Sequence, residues 1–535
     1  MRMRCLCDVA QTLVSAASRL VSTLFGSARV STRQARVLAP LFLLLLLPRL
    51  HAQQLTAAEV QSVVAAAASA AAGEGMAVVV VDRPGNVLAI FRRSQSTDLE
   101  VEKALTLARS GAFFSSDQTP LSSRTVRSIS RPNFPEGIPN QAAGALYGIE
   151  NTNRGCALNA PLLQPVPEPL SAKAAVLGKN ATDARSDSTL YSLGIGTVPG
   201  GVPLFRNGAT VIGGVGVSGL GDDNVGDLNE YAAVIGSAAF LVHLPLPDPG
   251  SVYIDGFRLP FVFFGPTLPS SAGVALKTPP GLTPGSPATD AQIVFGPLDG
   301  QFASEGWLVG PAPGQKLTVS DVTGIVDNAF ETANLTRAGI RLPVGKRTRM
   351  VISVADLDGT ILALYRMQDS TIFSIDVALS KARNVVYFSG PDRDTAELPG
   401  VPMNTAITNR SIGFGSQPFF TSGIFNSKPG PFYDTLYNLD TANPCTQGHQ
   451  SKVNKDGTPN LNQSGIVFFP GSAPLYRNGV MVGGLGVSGD GVEQDDFVTS
   501  GGTPGFEAPP AIRADQILIR GVRLPYFKFP RNPEQ

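Results

Sequence analysis

The sequence has few of the side chains that most often bind metals or act as nucleophiles. Its 535 residues include three histidines and four cysteines, and beyond residue 52 only His243, His449, Cys156 and Cys445 remain. A structural zinc site needs four ligands gathered at one point, and these four are too widely spaced to predict one. The sequence also lacks a Gly-x-Ser-x-Gly motif, and no catalytic residue is assigned. Whether the protein binds a metal stays unknown from the sequence.

Charge of either sign is scarce as well. Charged residues make up 16% of the chain and hydrophobic residues 43%, a composition that supports folded cores and excludes a largely disordered chain. Residues 1–52 hold seven arginines and one aspartate, which leaves 35 basic and 41 acidic side chains in the rest. Because no basic excess remains to contact phosphates, nucleic acid is not an expected partner.

The apolar run from Leu38 to Leu47 is too short to span a membrane as a helix. An arginine-rich stretch precedes it, and Leu50-His51-Ala52 follows as a cleavage site with a small final residue. This pattern predicts an export signal over residues 1–52 and a mature chain that begins at Gln53. The alternative is an uncleaved anchor. Cleavage would place the protein in the periplasm or outside the cell, with no stable membrane anchor.

The chain repeats itself after 274 residues. Val79–Arg92 matches Ser353–Arg366, and Gly213–Gly219 matches Gly483–Gly489 later in each copy. Matches in the same order over such a length indicate a tandem duplication.

Each copy has the pattern of helix, hairpin, helix and hairpin, which predicts an α+β domain with helices packed on an antiparallel sheet. The predicted first helices are 55–73 and 317–335, with Thr56 and Thr318 as N-caps. The second helices are Leu99–Phe113 and Ile372–Tyr387, and the last hairpins turn at Asn207-Gly208 and Asn478-Gly479.

These patterns divide the chain into a signal peptide (1–52), a first domain (53–264), a Pro/Gly-rich linker (265–314) and a second domain (315–535). Inserts at about 116–200 and 390–470 predict no compact structure. We expect the two copies to pack as a pseudo-two-fold pair.

Both copies resemble the GlcG/HbpS family, whose members are described as haem-degrading or haem-binding. The second copy carries the fuller set of matching residues: Asp356, Gly359, Leu362, Arg366-Met367, Ala378, Lys381-Ala382, Gly483–Gly489 and Glu493–Asp496. The first copy keeps Asp82, Gly85 and Arg92 but has Leu107 in place of Lys381.

The resemblance implies two tandem profilin-like domains, each a five-stranded antiparallel sheet with helices on both faces, often in higher oligomers. It also implies a small planar ligand, a tetrapyrrole with haem as the possible cofactor. We therefore expect an exported haem-binding protein that binds rather than catalyses and can form a homo-oligomer. The alternatives are an enzyme acting on haem or a small carbonyl substrate, and a structural scaffold without a ligand.

Matching arginines and tyrosines in the two copies are candidate ligand contacts. Arg92 and Arg366 end equivalent strands, where a guanidinium could clamp a propionate, although a salt bridge is the more common role. Tyr147 and Tyr437 also correspond, and tyrosinate can ligate haem iron, although a repeated tyrosine is more often a core residue.

A second group of candidate ligand contacts occurs in the second copy alone: Lys381, Glu493 and Asp495. If one copy alone is functional, it is this one. His243 and His449 do not occupy equivalent positions, so a structural role is favoured for each.

The glycines of Gly214-x-Gly216-x-x-Gly219 and Gly484-x-Gly486-x-x-Gly489 spell a dinucleotide-binding fingerprint. That fingerprint opens a parallel βαβ unit, whereas these glycines lie late in an antiparallel domain. We expect them to permit close backbone approach instead.

The last expectation from the sequence is a disulfide between Cys156 and Cys445, the two cysteines left after export, in an oxidising compartment. The alternative is two separate buried thiols. Closing so long a loop would stabilise the fold by about 5 kcal/mol at most. The test is the intact mass of exported protein that is denatured and alkylated without reduction. We expect a chain that begins at Gln53 without an adduct; two adducts, or residues 38–50 still attached, would contradict the respective expectation.

Overall fold

The computed structural model describes residues 54–152, 194–221, 227–241, 248–254, 256–268, 273–296, 305–342, 345–442 and 464–534. The predicted signal, the cysteines Cys156 and Cys445, and the histidines His243 and His449 lie outside these residues. Both copies belong to one compact unit that begins at Leu55. Within the described ranges, no helix combines the length and apolar character needed to cross a membrane.

The first copy forms a sheet with helices on both faces. Its elements are α1 (Ala57–Ala70), β1 (Ala77–Asp82), β2 (Val87–Arg92), α2 (Asp98–Phe114), α3 (Ser123–Ile129), β3 (Gly201–Arg206), β4 (Thr210–Ser218), α4 (Asp227–Gly236), β5 (Ser251–Ile254), β6 (Phe257–Pro260) and β7 (Ile293–Phe295). The sheet has the antiparallel order β3-β4-β1-β2-β7, and β5 and β6 form a separate hairpin.

The second copy repeats this plan. Its elements are β8 (Gly306–Val309), α5 (Val319–Leu335), β9 (Val351–Ala355), β10 (Ile361–Arg366), α6 (Phe373–Ser389), α7 (Asn409–Gly415), α8 (Asn438–Ala442), β11 (Ser472–Arg477), β12 (Val480–Ser488), α9 (Val492–Gly502), β13 (Leu518–Ile519) and β14 (Val522–Arg523). Its sheet has the order β11-β12-β9-β10-β8 and is antiparallel throughout. The predicted α+β fold, with two tandem five-stranded sheets, is confirmed.

Alternating residues along each central strand face different helices. In β1, Val78 and Val80 pack in the cluster that contains α1, whereas Val79 and Val81 pack against α2. In β9, Ile352 and Val354 contact the α5 side in the same way. This period of two buries both faces of the sheet, because every side chain then meets a helix.

The fifth strand of each sheet comes from residues 265–314, which the sequence predicted to be a linker. β7 pairs with the outer side of β2 and β8 with that of β10. β7 follows the other strands of its copy, whereas β8 precedes those of its own. The edge strand of the first sheet therefore comes from residues after the rest of its copy, and the edge strand of the second sheet comes from residues before the rest of its copy.

The predicted N-caps at Thr56 and Thr318 are confirmed, and each belongs to a capping box. The Glu59 carboxylate accepts from the Thr56 backbone amide at 2.8 Å and also binds Arg206. A hydrogen bond from Arg206 lowers the pKa of Glu59 to about 2. Arg477 and Asp321 form the equivalent ion pair at 2.6 Å, so in both copies the first helix is tied to the last hairpin.

The glycines of β4 and β12 let the second helix lie directly against the sheet. A Cβ on Gly216 would come within 2.0 Å of the Ala104 carbonyl oxygen on α2. A Cβ on Gly486 would come within 2.1 Å of the Ala378 carbonyl oxygen on α6. The expected role of these glycines in close backbone approach is confirmed, and the fingerprint is not the start of a βαβ unit.

The second helices of the two copies do not follow the expected pseudo-two-fold packing. Phe113 at the end of α2 packs on Phe373 at the start of α6, with ring centroids 5.4 Å apart. Two-fold symmetry would require the reciprocal contact between Tyr387 and Leu99. Leu99 is 50% exposed, however, whereas its counterpart Phe373 is 2% exposed. The end of one helix therefore meets the beginning of its counterpart without a reciprocal contact, whereas the stacked rings of the equivalent residues Tyr147 and Tyr437 agree with a local two-fold relation.

Two further contacts join the copies. The Pro84 carbonyl accepts from the Ile372 amide at 2.9 Å, and the Arg83 guanidinium donates to the Arg341 carbonyl at 2.8 Å. The β1–β2 turn of the first copy therefore docks on the second copy.

We expect Gly486→Ala to destabilise the protein by about 3 kcal/mol, because the methyl group would overlap the backbone of α6. Gly324→Ala is the matched control, since Gly324 lies within α5 and its Cβ would meet open space. That control should stabilise the protein by about 0.5–1 kcal/mol through helix propensity. Urea unfolding measures both, and equal stability of the two variants would contradict the close approach.

Candidate functional site

Lys381 is a buried cation held by three groups. It lies on α6, and its Nζ donates to the Val487 carbonyl at 2.7 Å and to Asp495 Oδ2 at 2.8 Å. The ammonium also lies 4.6 Å from the ring centre of Phe469, within the range of a cation–π contact. Lys381 is 0% exposed. Because the glycines of β12 bring α6 close to the sheet, the ammonium reaches a carbonyl of that strand.

Asp495, in the first turn of α9, is the partner of Lys381. Oδ1 of this carboxylate is buried and has no hydrogen-bond partner in the part of the chain that the structure describes. Burial raises the pKa of Asp495 to about 7, against the opposing effect of the Lys381 charge. Burial likewise lowers the pKa of Lys381, and Asp495 opposes that shift. Each charge therefore depends on the other to remain ionised.

A cleft between the two copies reaches this pair. Four apolar side chains of the first copy line one wall: Phe113, Phe114, Leu146 and Ile149. Phe373, Phe469, Ser488 and Asp495 lie on the wall formed by the second copy. The cavity has a volume of about 20 Å³, enough for one or two water molecules.

The equivalent position in the first copy has lost the charges. Gly471 (φ +114°) lies against Lys381 and Asp495, and its counterpart Gly200 (φ +141°) lies against Leu107 and Asn229. Asn229 Oδ1 accepts from the Leu220 amide at 3.0 Å. An apolar side chain and an amide thus replace the ion pair.

The acidic residue that follows this position in the sequence forms an ion pair with an arginine in both copies. Glu230 pairs with Arg124, and Asp496 pairs with Arg410. These ion pairs connect the helices α4 and α9 to the inserts in both copies. The copies therefore differ at the preceding residue, which is Asn229 in the first copy and Asp495 in the second.

Arg92 and Arg366 hold the loops that follow their strands. Arg366 is 1% exposed, and its guanidinium donates to the Ser370 carbonyl at 2.5 and 3.0 Å. Arg92 donates to the Ser96 carbonyl and pairs with Asp98 at 3.2 Å. Neither arginine lines the cleft. A propionate contact for them stays a prediction, although both guanidinium groups already bind protein acceptors.

Tyr147 and Tyr437 meet at the junction of the copies. Their rings stack with centroids 5.0 Å apart, and the Tyr147 hydroxyl donates to the Ser416 carbonyl at 3.1 Å. Burial raises the pKa of Tyr147, which keeps it a phenol at neutral pH. The stacked pair joins the two inserts, and nearby the Asn151 amide donates to the Thr441 hydroxyl at 2.8 Å.

Glu493 lies two residues before Asp495 but pairs with Lys528 at a partly exposed position. The structure therefore brings Lys381 and Asp495 together and leaves Glu493 outside the pair. Among the described residues, no group of His, Cys, Asp and Glu side chains could hold a metal ion.

The aromatic walls of the cleft were missed by sequence reasoning. Phe373 replaces Leu99 of the first copy, and Phe113 corresponds to Tyr387. Phe373 differs from its counterpart Leu99, so a search for positions at which the two copies differ would have found it. A search for positions that the copies share does not.

We expect Lys381→Leu alone to destabilise the protein by about 3–5 kcal/mol at pH values well above 7, because Asp495 would be buried without its counter-ion. The sign follows from the pKa of Asp495, which is about 7 beside Lys381 and rises further when the lysine charge that lowers it is removed. An unfolded carboxyl releases its proton near pH 4, so the stability of the variant falls as the pH rises from there to the higher pKa of the folded state. Urea unfolding at about pH 5.5 and 8.5 measures the difference.

The double variant Lys381→Leu/Asp495→Asn is the control, since the first copy carries Leu107 and Asn229 at these positions. It should recover most of the stability and lose the pH dependence. A double variant as unstable as the single one would contradict this account of the pair.

Two curated relatives are corrinoid adenosyltransferases named PduO. The Citrobacter freundii protein is 28% identical over 165 residues, which is 31% of this chain and 34% of the relative. The Salmonella typhimurium protein is 23% identical over 175 residues, covering 33% and 37%. The chain thus spans about a third of the length of these relatives.

Two solved structures are similar over a single copy. The Klebsiella pneumoniae protein ORFY is 20% identical, covers 36% of this chain and 93% of its own, and has a TM-score of 0.23. A structure titled as a PduOC:heme complex is 22% identical, covers 36% and 97%, and has a TM-score of 0.22. At these values the family assignment depends on sequence.

A sequence model of the family described as "Haem degrading protein HbpS-like" matches residues 55–228 and 327–502. These ranges cover more than half of the chain and fall one in each copy. The resemblance seen in the sequence is thereby confirmed, and the chain belongs to the HbpS-like family, with one family domain in each copy.

Proposed function

We propose that the protein is an exported binding protein for a tetrapyrrole of the haem class. The observation that carries the proposal is the match of both copies to a family described as haem degrading. The cleft where these two domains meet adds an apolar, aromatic-walled position for the ligand. A planar apolar macrocycle packs well on phenyl rings, and ligand sites are commonly apolar clefts with a few polar groups.

Among the described residues, the phenyl rings of the cleft suit the flat faces of haem, whereas ligands for the haem iron are scarce. Haem iron is usually held by histidine, cysteine, methionine or tyrosine. In the described ranges there is no histidine or cysteine, the residues that line the cleft include no methionine or tyrosine, and the Tyr147 hydroxyl already donates to a carbonyl. No coordination bond is therefore assigned. The cavity is also far smaller than a tetrapyrrole, so binding requires Phe113 and Phe373 to move apart.

Binding is favoured over turnover because the buried amine of Lys381 is not accessible. Lys381 would have to leave both the Val487 carbonyl and Asp495 before it could attack a carbonyl substrate. The adenosyltransferase names belong to relatives of which this chain spans about a third, so that activity is not carried over to this chain.

We expect hemin added to the purified protein to give a saturable Soret shift. Phe373→Leu should weaken binding about fivefold, because it removes one aromatic face from the cleft. Leu is the residue at the equivalent position of the first copy, so the change is compatible with the fold. Absorbance titration measures both affinities.

Leu99→Phe is the matched control, since Leu99 is half exposed and outside the cleft, and its hemin affinity should equal that of the wild type. A wild-type protein without a saturable Soret shift would overturn the proposed function. His243→Ala and His449→Ala report in the same titration whether either imidazole binds the iron, through a change in the Soret position.

A further inference from the structure

The carboxylate of Asp495 has one oxygen left for a ligand. Oδ2 accepts from Lys381 at 2.8 Å, whereas Oδ1 is buried and has no hydrogen-bond partner among the described residues. Asp495 is 3% exposed and lines the cleft between the copies. A buried acceptor without a partner is unfavourable, and a ligand that donates a hydrogen bond to Oδ1 would relieve that cost.

The Lys381 charge selects the kind of donor. Because the ammonium already neutralises Asp495, an incoming cation would be buried without a counter-charge of its own. An anionic carboxylate, conversely, would face an oxygen that can only accept. A neutral N–H or O–H group satisfies Oδ1 without adding charge, and the apolar rings of Phe113 and Phe373 suit an apolar body.

The first copy cannot offer the same contact. Leu107 and Asn229 stand where the second copy has Lys381 and Asp495, and Asn229 Oδ1 already accepts from Leu220. The reciprocal interface is also missing, since Leu99 is exposed where Phe373 is covered. The first copy contributes one wall to the site of the second.

We propose that each chain has a single ligand site, in the second copy, at which an N–H or O–H group of the ligand donates to Asp495 Oδ1. For the ligand class this inference rests on the proposed function. It favours an open-chain tetrapyrrole, whose N–H groups can reach an external acceptor, over haem, whose four pyrrole nitrogens are bound to iron.

Biliverdin and hemin are the two probes, because both carry vinyl and propionate groups and only biliverdin, which is open-chain, has N–H groups that can reach an external acceptor. The wild type should bind one biliverdin per chain, about tenfold more tightly than hemin, as expected for one hydrogen bond to a charged acceptor. Lys381→Leu/Asp495→Asn should bind the two probes equally. Fluorescence quenching and absorbance titrations give the affinities and the stoichiometry.

Leu99→Phe is the control that should keep the tenfold preference, and urea unfolding verifies that the double variant is folded. Two ligands per chain, equal or tighter hemin binding by the wild type, or a preference that survives in the double variant would overturn the inference.

Failure of the proposed function is separable from failure of this inference. If the wild type binds neither tetrapyrrole, the proposed function is wrong, and crystals soaked in 2-propanol or in acetone test the donor site alone. 2-Propanol can donate to Asp495 Oδ1, whereas acetone can only accept. The alcohol bound to that oxygen in the wild type, and absent from the double variant, would support the site. No alcohol at Asp495 in the wild type would overturn it.

Discussion

The close contact of α6 with β12 is the constraint on which the site depends. Gly484 and Gly486 have no side chains to separate the helix from the strand, so the backbone of α6 lies almost directly on the sheet. At that separation a lysine on the helix can reach Val487 on the strand and Asp495 on the helix that follows it. In the first copy α2 lies equally close to β4, but the residue at the position of Lys381 is Leu107. The first copy therefore has the same fold without the buried ion pair.

The contact of α2 with α6, which has no reciprocal, has a second effect on the duplicated chain. In an isologous pair any site between the copies occurs twice, because each contact has its reciprocal. Here the end of α2 covers the start of α6, and the start of α2 stays exposed. The two copies consequently differ in structure: the second has a buried ion pair, and the first supplies apolar residues of the cleft that reaches it.

Most of the fold could be predicted from the sequence, because the duplication supplied each element twice. The hairpins around Asp82 and Asp356, the N-caps and the glycine strands all follow local rules of spacing and residue type. The fifth strands could not be predicted, because Ile293–Phe295 is short and lies in a Pro/Gly-rich stretch whose pairing is decided by the exposed edge of β2. The site was half predictable: Lys381 and Asp495 differ between the copies, but the packing of Phe113 on Phe373 depends on an interface that no local pattern specifies.

The strands β7 and β8 also change where the two domains can be separated. A second domain cut at residue 315 would lose β8 and expose the unpaired edge of β10, and a first domain ended at 264 would expose β2 in the same way. Open sheet edges pair with other chains and favour aggregation. Each half is complete only when the chain is divided between Phe295 and Gly306, so the stretch rich in proline and glycine protects both sheets from intermolecular pairing.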